Sequence, residues 1–202
     1  MPRWLAPALV GTVLLIATLV GVSYLIPAAS DTAEQQGAVP IGGPFTLTDQ
    51  SGKAVTEQDY RGRFMLVYFG YTFCPDMCLL GLQTIAQALD ELPPELQERI
   101  APLFITIDPE RDTVAVMKDY VAQFHPRLIG LTGSEAEIAQ AVRAYRVYAS
   151  RSATPAADGS YLVDHSTFTY LMDENGRYVT HFGHGTTPDE MAGRLKELVG
   201  AG

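Results

Sequence analysis

The chain contains 202 residues, of which 47% are apolar, and it carries a formal net charge of −9 at pH 7. This length accommodates one ordinary domain with a sizeable apolar core, together with one additional segment. The acidic balance makes nucleic acid and anionic lipid surfaces unfavourable partners, so no nucleic-acid partner is expected.

The N-terminal segment is typical of a membrane-spanning helix. No charged residue occurs between Leu5 and Ile26, and a helix of this length can cross a bilayer. Arg3 precedes the segment and Asp31 follows it, so the positive-inside rule predicts that the rest of the chain is exported. A cleaved signal peptide is the alternative, since residues 28–30 are small, but the apolar run is longer than a usual signal core.

We therefore expect three regions, namely a membrane anchor over residues 1–27, a linker over residues 28–43 and a folded domain over residues 44–202. The lack of an Arg-rich and Ser-rich amphipathic leader disfavours mitochondrial import. The predicted location is the bacterial inner membrane, with a single span and the folded domain in the periplasm. In that compartment a thiol pair becomes oxidised unless a reductant or a bound metal protects it.

The residues beyond the linker show the pattern of an α/β domain. A leading β-hairpin is followed by three strands that alternate with helices, and a hairpin with a type I′ turn at Asn175-Gly176 precedes a last helix. This order predicts a thioredoxin-like sandwich with an N-terminal β-hairpin extension and an N-terminal transmembrane helix. The predicted segments are the hairpin at 45–52, strands at 64–70, 103–107 and 128–131, helices at 79–92, 108–124 and 134–145, an exposed loop at 149–160, hairpin strands at 167–172 and 177–182, and a helix from 187 to about 199.

The only two cysteines of the sequence, Cys74 and Cys78, directly follow the central predicted strand. This position places both sulfurs at the carboxyl edge of the predicted sheet, where α/β proteins have their sites. If Cys74 caps the next helix, Pro75 occupies its first position, and both thiols lie at the positive end of the helix dipole, which favours thiolate. Such a pair can form a disulfide or supply two soft metal ligands.

A third metal ligand would come from one of four histidines. The sequence context indicates that His125 is a surface cap, that His181 is an exposed strand residue and that His184 lies on a flexible loop. His165 lies on the loop just before the closing hairpin, which in a thioredoxin-like sheet faces the end of the cysteine strand. The neighbouring Asp164 could hold its other ring nitrogen or stabilise the loop. Two thiolates and one imidazole suit Cu(I), and they can also take Cu(II) or zinc.

Three segments, Tyr68–Cys78, Ile107–Thr113 and Val163–Ser166, resemble motifs of the Sco/SenC family and occur in the family's order. The resemblance extends over about residues 40–200. It implies a thioredoxin-like assembly factor that binds copper, as Cu(I), Cu(II) or both. The implied copper ligands are Cys74, Cys78 and His165. The resemblance also implies that the protein delivers copper to the dinuclear copper centre of cytochrome c oxidase subunit II, or reduces thiols there, with an unidentified copper donor and a thiol reductant as further partners.

The chain departs from the family pattern near the cysteines. Phe73 stands where the family often has His, and Leu79 stands where it often has Pro. Met77 lies between the two cysteines, where the family usually has an aliphatic residue, and it is expected to pack rather than to bind metal. Asp76 is expected to support the ligands or to contact a partner.

Two acidic residues of the second family segment, Asp108 and Asp112, are expected to cap the helix that follows, although the family motif leaves a role at the site open. Both lie in the segment 108–113 that opens the predicted helix, where a carboxylate can accept hydrogen bonds from free N–H groups.

Other functions fit parts of the same pattern. A periplasmic thiol–disulfide oxidoreductase would use the cysteine pair, but residues 166–169 contain no proline where thioredoxins have a cis-proline, and three residues separate the cysteines instead of two.

A peroxidase or redox sensor would need a reactive thiol but not His165. A plain disulfide would close a very small loop and stabilise little, and a simple interaction module would leave the three-residue constellation unexplained. We expect a chaperone rather than an enzyme, with thiol–disulfide reductase activity as the alternative.

Overall fold

A mixed sheet of seven strands lies at the centre of the part of the chain that the computed structural model describes, residues 40–155 and 159–201. The anchor predicted over residues 1–27 and most of the predicted linker lie outside these residues. Within the described part, no helix has the length and apolar character that a bilayer crossing requires.

The described elements follow the predicted order, with a few additions. The strands are β1 (Thr46–Asp49), β2 (Ala54–Thr56), β3 (Phe64–Gly70), β4 (Ile100–Thr106), β5 (Ile129–Thr132), β6 (Ala149–Arg151), β7 (Val163–His165), β8 (Thr169–Met172) and β9 (Tyr178–Phe182). The α-helices are α1 (Met77–Asp90), α2 (Pro94–Glu98), α3 (Val114–Val121), α4 (Glu135–Ala144) and α5 (Pro188–Gly200), and a short 3₁₀ helix spans Glu57–Tyr60.

The strand order in the main sheet is β2-β1-β5-β4-β3-β8-β9. Strands β3, β4 and β5 are parallel neighbours, and β1 and β8 flank them in antiparallel orientation. The parallel strands end at one edge of the sheet, which is where α/β proteins form their sites. This is the predicted α/β thioredoxin-like sandwich with its leading hairpin.

The central strand β3 divides the core into two layers. All seven of its residues are buried, and alternate side chains point to opposite faces, as the period of a strand requires. Leu66 and Tyr68 belong to the layer beneath α1, α3 and α5, whereas Val67 and Phe69 belong to the layer beneath α4 and the leading hairpin. Burial on both faces explains why this strand is a continuous apolar run in the sequence.

Two local predictions are wrong. The segment predicted as an exposed loop at 149–160 contains β6, which pairs with β7 in a separate two-stranded ribbon. In the closing hairpin, Gly176 has a φ of +70°, but Asn175 is not among the described residues with positive φ, so the turn is not type I′. The Asp173 carboxylate accepts hydrogen bonds from the N–H groups of Asn175 and Arg177, and this interaction favours a three-residue loop with the glycine in the left-handed region.

Candidate metal centre

The two cysteines lie on the loop that leaves β3 and on the first turn of α1. This helix begins at Met77 and Asp76 precedes it, so the expectation that Cys74 is the capping residue is wrong. The Cys74 sulfur nevertheless accepts a hydrogen bond from the backbone N–H of Cys78 at 3.4 Å, and it thereby satisfies one free N–H of the first turn. Cys78 has no exposed surface, whereas Cys74 is half-buried beside the core.

Gly70, the last residue of β3, leaves the space that the Cys78 thiol occupies. A Cβ atom at this position would lie 2.7 Å from Cys78 Sγ and 3.0 Å from the ring of Phe104. A real side chain cannot approach that closely unless its neighbours move. The glycine therefore allows the thiol to sit directly against the end of the central strand.

His165 lies on β7, in the ribbon that β6 and β7 form outside the main sheet. Ala149 is the residue opposite it in this ribbon. Next to it, the backbone N–H of Ser166 donates to the carbonyl of Tyr148 at 3.0 Å, and the N–H of Tyr148 donates to the Ser166 hydroxyl at 3.0 Å. The expectation of a loop position is wrong, because a short strand pair holds this histidine.

The imidazole of His165 turns its Nε2 atom toward the cysteines. Its Nδ1 lies 2.8 Å from the carbonyl oxygen of Ser166, and because a carbonyl can only accept, Nδ1 carries a proton and donates it to this oxygen. Nε2, the ring nitrogen that remains for a metal, lies 3.3 Å from Cys78 Sγ. Asp164 is exposed, so the expectation that its carboxylate holds Nδ1 is wrong, and the Ser166 carbonyl has that role.

Three ligand atoms meet between the cysteine loop and the ribbon. The sulfurs of Cys74 and Cys78 and a ring nitrogen of His165 all lie within 4.8 Å of one another. In the part of the chain that the structure describes, this is the one group of three or more His, Cys, Asp or Glu side chains with spacing suitable for a metal. Asp76 and Asp164, both exposed, line the adjoining cavity of about 430 Å³.

The two thiols share one proton in the metal-free, reduced state. The hydrogen bond from the Cys78 side chain lowers the pKa of Cys74 to about 4; burial opposes this change, and hydrogen bonds with His165 and with backbone N–H groups reinforce it. Hydrogen bonding to Cys74 and burial raise the pKa of Cys78. At neutral pH the pair is therefore a Cys74 thiolate and a Cys78 thiol, and a metal that binds both sulfurs displaces the remaining proton.

Asp112 connects the cysteine loop to the end of β4. Its carboxylate accepts hydrogen bonds from the backbone N–H of Thr72 at 3.0 Å and from the hydroxyls of Thr72 and Thr106 at 2.5 and 2.6 Å. Burial raises the pKa of this carboxyl. The side chain that caps α3 belongs to Thr113, so the expectation that Asp112 caps this helix is wrong. Its hydrogen bonds instead fix the backbone two residues before Cys74.

Asp108 is the second carboxylate for which the capping expectation is wrong. It forms an ion pair with Arg111 and accepts a hydrogen bond from the hydroxyl of Tyr161 at 2.7 Å. The sequence pattern gives no role to Arg111 or Tyr161. Arg111 lies within a segment that resembles the Sco/SenC family, and that resemblance is the signal by which it could have been found. Tyr161 lies outside those segments and carries no such signal.

Tyr71 is another contact residue to which the sequence pattern assigns no role. Its hydroxyl accepts a hydrogen bond from the backbone N–H of Val163 at 3.1 Å. Its ring stands edge-on to the imidazole of His165, with 6.0 Å between the ring centroids. This buried tyrosine therefore links the start of the cysteine loop to the strand that carries the histidine.

The other three histidines lie outside the group of three ligand atoms. His125 is buried, not a surface cap as expected: its Nδ1 accepts from the N–H of Arg127 at 3.1 Å, and its Nε2 lies 3.4 Å from a carboxylate oxygen of Asp90. His181 is an exposed residue of β9 and His184 is exposed between β9 and α5, as expected.

The surface around the cysteines is unusually apolar. Met77 is 36% exposed and lines the same cavity as Cys74. That it packs and does not bind metal stays a prediction. Phe73 is 55% exposed and Leu79 is 41% exposed. All three positions where the chain departs from the family pattern therefore contribute apolar surface beside the candidate ligands.

Comparison with known proteins agrees with the fold. The sequence pattern of the SCO1/SenC family matches residues 33–200. The chain belongs to the SCO1/SenC family. The SCO2-like protein of Rickettsia prowazekii is 38% identical to it over 180 residues, which cover 84% of this chain and 87% of that protein.

Solved structures of Sco proteins have the same fold as this chain. The structure of Bradyrhizobium japonicum ScoI with copper bound is 47% identical in sequence, covers 78% of this chain and 98% of its own, and superposes with a TM-score of 0.71. The structure of yeast Sco1 with copper bound is 39% identical, covers 81% and 91% of the two chains, and gives a TM-score of 0.74. The described domain therefore has the thioredoxin-like Sco fold.

Proposed function

We propose that this chain binds copper through Cys74, Cys78 and His165 and delivers it to the dinuclear copper centre of cytochrome c oxidase subunit II. The observation that carries the proposal is the convergence of two sulfurs and one imidazole nitrogen within 4.8 Å. Membership of the SCO1/SenC family, in which copper-bound structures are known, supports the choice of metal.

The donor set favours copper over other metals. Two thiolates are soft ligands that select Cu(I), and an imidazole also suits copper. A structural zinc site is usually four-coordinate, whereas the described residues bring together three donors. Oxygen-preferring cations such as magnesium and calcium have no reason to choose a site with two sulfurs.

The proposed delivery proceeds by ligand exchange. Loading requires both cysteines in the reduced state and releases the Cys78 proton, so copper binding depends on a thiol reductant in an oxidising compartment. A donor atom of the acceptor then replaces His165 first, because this ligand lies on a short ribbon outside the main sheet, whereas Cys78 is fixed in the core. The copper ion keeps its oxidation state throughout, so no electron acceptor is needed.

The proposed location follows from the N-terminal sequence. Residues 1–27 would anchor the chain in the bacterial inner membrane, and the described domain would lie in the periplasm. An unidentified donor would supply copper to the domain there.

Thiol–disulfide reduction of the same acceptor is the second candidate, and the accessible, low-pKa thiol of Cys74 favours it. The Cys74 thiolate would attack an acceptor disulfide and form a mixed disulfide while one acceptor thiolate leaves. Cys78 would then attack Cys74, so that a Cys74–Cys78 disulfide forms and two acceptor thiols are released. Two electrons pass to the acceptor, and a thiol reductant must restore the pair. Residues 166–169 contain no proline where thioredoxins have a cis-proline, which disfavours a general thioredoxin-type enzyme.

A transfer experiment separates the two candidates. The full chain in mild detergent, reduced and loaded with Cu(I), is mixed with the soluble copper domain of subunit II, which is either reduced or disulfide-oxidised. The two proteins are then separated, and their copper and free thiols are measured. Delivery predicts that copper moves to the reduced acceptor. Copper that stays on the chain would contradict delivery, and new thiols in the oxidised acceptor without copper movement would favour the reductase.

A further inference from the structure

One arginine contacts both halves of the candidate metal centre. Arg111 lies between β4 and α3, and its guanidinium carbon lies 3.7 Å from the ring centroid of Tyr161 and 4.7 Å from that of Phe73. Phe73 directly precedes Cys74, and Tyr161 lies four residues before His165. A single side chain therefore bridges the loop that carries a cysteine and the segment that leads to the histidine.

Hydrogen bonds fix the orientation of this guanidinium. Arg111 Nη1 donates to the carbonyl oxygen of Tyr161 at 3.0 Å, and Nε donates to the carboxylate of Asp108. The same carboxylate accepts the hydroxyl of Tyr161 at 2.7 Å. Arg111, Asp108 and Tyr161 therefore each contact the other two. The planar guanidinium can make both of its hydrogen bonds at once because its several donors point in fixed directions.

The arginine is held at a site where its charge is poorly solvated. Its side chain is only 16% exposed and pairs with an Asp108 side chain that is 5% exposed. Among the described residues, Nη2 of Arg111 is buried and has no hydrogen-bond partner. Aromatic faces within about 6 Å can stabilise such a cation, and the rings of Tyr161, Phe73 and Tyr71 all lie within that range.

We infer that Arg111 is a positioning residue that clamps the histidine ribbon against the cysteine loop and thereby sets how tightly the imidazole holds the metal. The inference rests on the proposed copper function. The ribbon lies outside the main sheet, so side-chain contacts of this kind hold it to the loop, together with the hydrogen bond from Val163 to Tyr71. Loss of the clamp should let His165 move away while both sulfurs stay in place.

The chain provides a matched control for this arginine. Arg151 also lies over the ring of Tyr161, at 4.1 Å, but its ion pair is with Glu110 and its side chain is 65% exposed. A change at Arg151 thus removes a cation from the same ring and leaves the contacts to Asp108 and Phe73 unchanged.

The test measures Cu(I) affinity by competition with a chromophoric chelator, using the reduced full chain in mild detergent. We expect Arg111→Met to weaken Cu(I) binding about tenfold, as loss of a residue that orients a metal ligand commonly does. Arg111→Lys should weaken Cu(I) binding to a similar extent, because lysine keeps the charge but lacks the planar guanidinium with its fixed donor directions. Arg151→Met should stay within about twofold of the wild type, since the clamp is intact.

Two readouts distinguish positioning from a general structural role. In the background of His165→Ala, the change Arg111→Met should have almost no further effect on Cu(I) affinity, because the imidazole through which it acts is gone. X-ray absorption of copper-loaded Arg111→Met should show two sulfur neighbours and a reduced nitrogen contribution. Additive losses in the double variant, unchanged affinity in Arg111→Met, or full recovery in Arg111→Lys would each overturn the inference.

A second variant tests the inference if Arg111→Met does not fold cooperatively. Phe73→Leu keeps the arginine and removes one ring that contacts it at an exposed position, so the fold should persist. It should weaken Cu(I) binding about threefold, in line with the modest strength of one such contact, and only when His165 is present. An unchanged affinity would overturn the clamp. A wild-type chain that binds no copper would instead overturn the proposed function itself.

Discussion

The cysteine loop and the histidine ribbon differ in how the fold holds them. Cys78 is buried in the core against Gly70 at the end of a central strand. His165 lies on a two-stranded ribbon whose strands have three residues each and pair only with each other. The sulfur side of the site is therefore as rigid as the core, whereas the nitrogen side depends on a small number of side-chain contacts.

This difference suits a site that must both hold and release a metal. Elements with few buried apolar contacts unfold locally at a lower free-energy cost than core strands do. A ligand on such an element can be exchanged without disturbing the fold, while the buried sulfur of Cys78 and the half-buried sulfur of Cys74 retain the ion until an acceptor binds it.

Removal of the buried sulfur should have the largest effect. Cys78→Ala should weaken Cu(I) binding by about a thousandfold or more. Metal sites with thiolate ligands have binding free energies of roughly 10 kcal/mol or more, and each thiolate supplies a large share of that energy. The free energy of unfolding of the metal-free chain should fall by only about 0.5–3 kcal/mol. Chelator competition and chemical denaturation measure the two quantities. Copper binding at wild-type strength would exclude this cysteine as a ligand.

Removal of the imidazole should have the next largest effect. His165→Ala should weaken Cu(I) binding at least about a hundredfold. Loss of a residue that only supports a metal ligand lowers metal affinity by up to about a hundredfold, and loss of the ligand itself should cost at least as much. The melting temperature of the metal-free chain should barely change, because the ribbon lies outside the main sheet. His184→Ala, at an exposed position away from the three donors, is the control and should leave affinity unchanged. Equal affinity in the two variants would mean that the nitrogen ligand is assigned wrongly.

A methyl group at Gly70 should affect both stability and metal binding. Gly70→Ala places a carbon 2.7 Å from Cys78 Sγ, and such overpacking typically lowers stability by about 1–3 kcal/mol. Because the thiol must shift, Cu(I) affinity should fall by about tenfold, or roughly 1.4 kcal/mol. Gly193→Ala is the matched control: no atom lies within 4 Å of its added carbon, and it should stabilise helix α5 by up to about 1 kcal/mol. Similar unfolding curves for the two variants would argue against a tight fit at Gly70.

The exposed thioether should contribute least to copper retention. Met77→Leu should change Cu(I) affinity by less than about twofold, since volume-conserving exchanges are well tolerated and the three converging donors are unaffected. X-ray absorption of the copper-loaded variant should match that of the wild type. Loss of a sulfur neighbour in this variant would make Met77 a ligand and would require a different description of the site.

Much of the fold could be predicted because its signals are local. The apolar run of β3 is buried on both faces, and the capping boxes at Ser134 and Thr187 begin α4 and α5 where the sequence indicated. The ribbon was not predictable in the same way, because its strands are short and lie on either side of a polar segment. Its pairing depends on tertiary contacts, including the hydrogen bond between Val163 and Tyr71.

The positions of the three candidate ligands could be predicted, but the contacts that support them could not. The place of Cys74 and Cys78 after a strand, and of His165 before another, follows from topology, and the structure brings the three together. That they bind copper stays a prediction. Asp164 was the obvious partner for the imidazole because it is adjacent in sequence, yet a backbone carbonyl takes that role. Hydrogen-bond geometry of this kind depends on backbone direction, which residue types do not encode.

The most direct test of the central claim is copper stoichiometry together with X-ray absorption on the reduced full chain in mild detergent. Copper binding through Cys74, Cys78 and His165 predicts one copper ion for each chain, with two sulfur neighbours and one imidazole nitrogen. An absence of bound copper, or a shell that contains sulfur and no nitrogen, would contradict it.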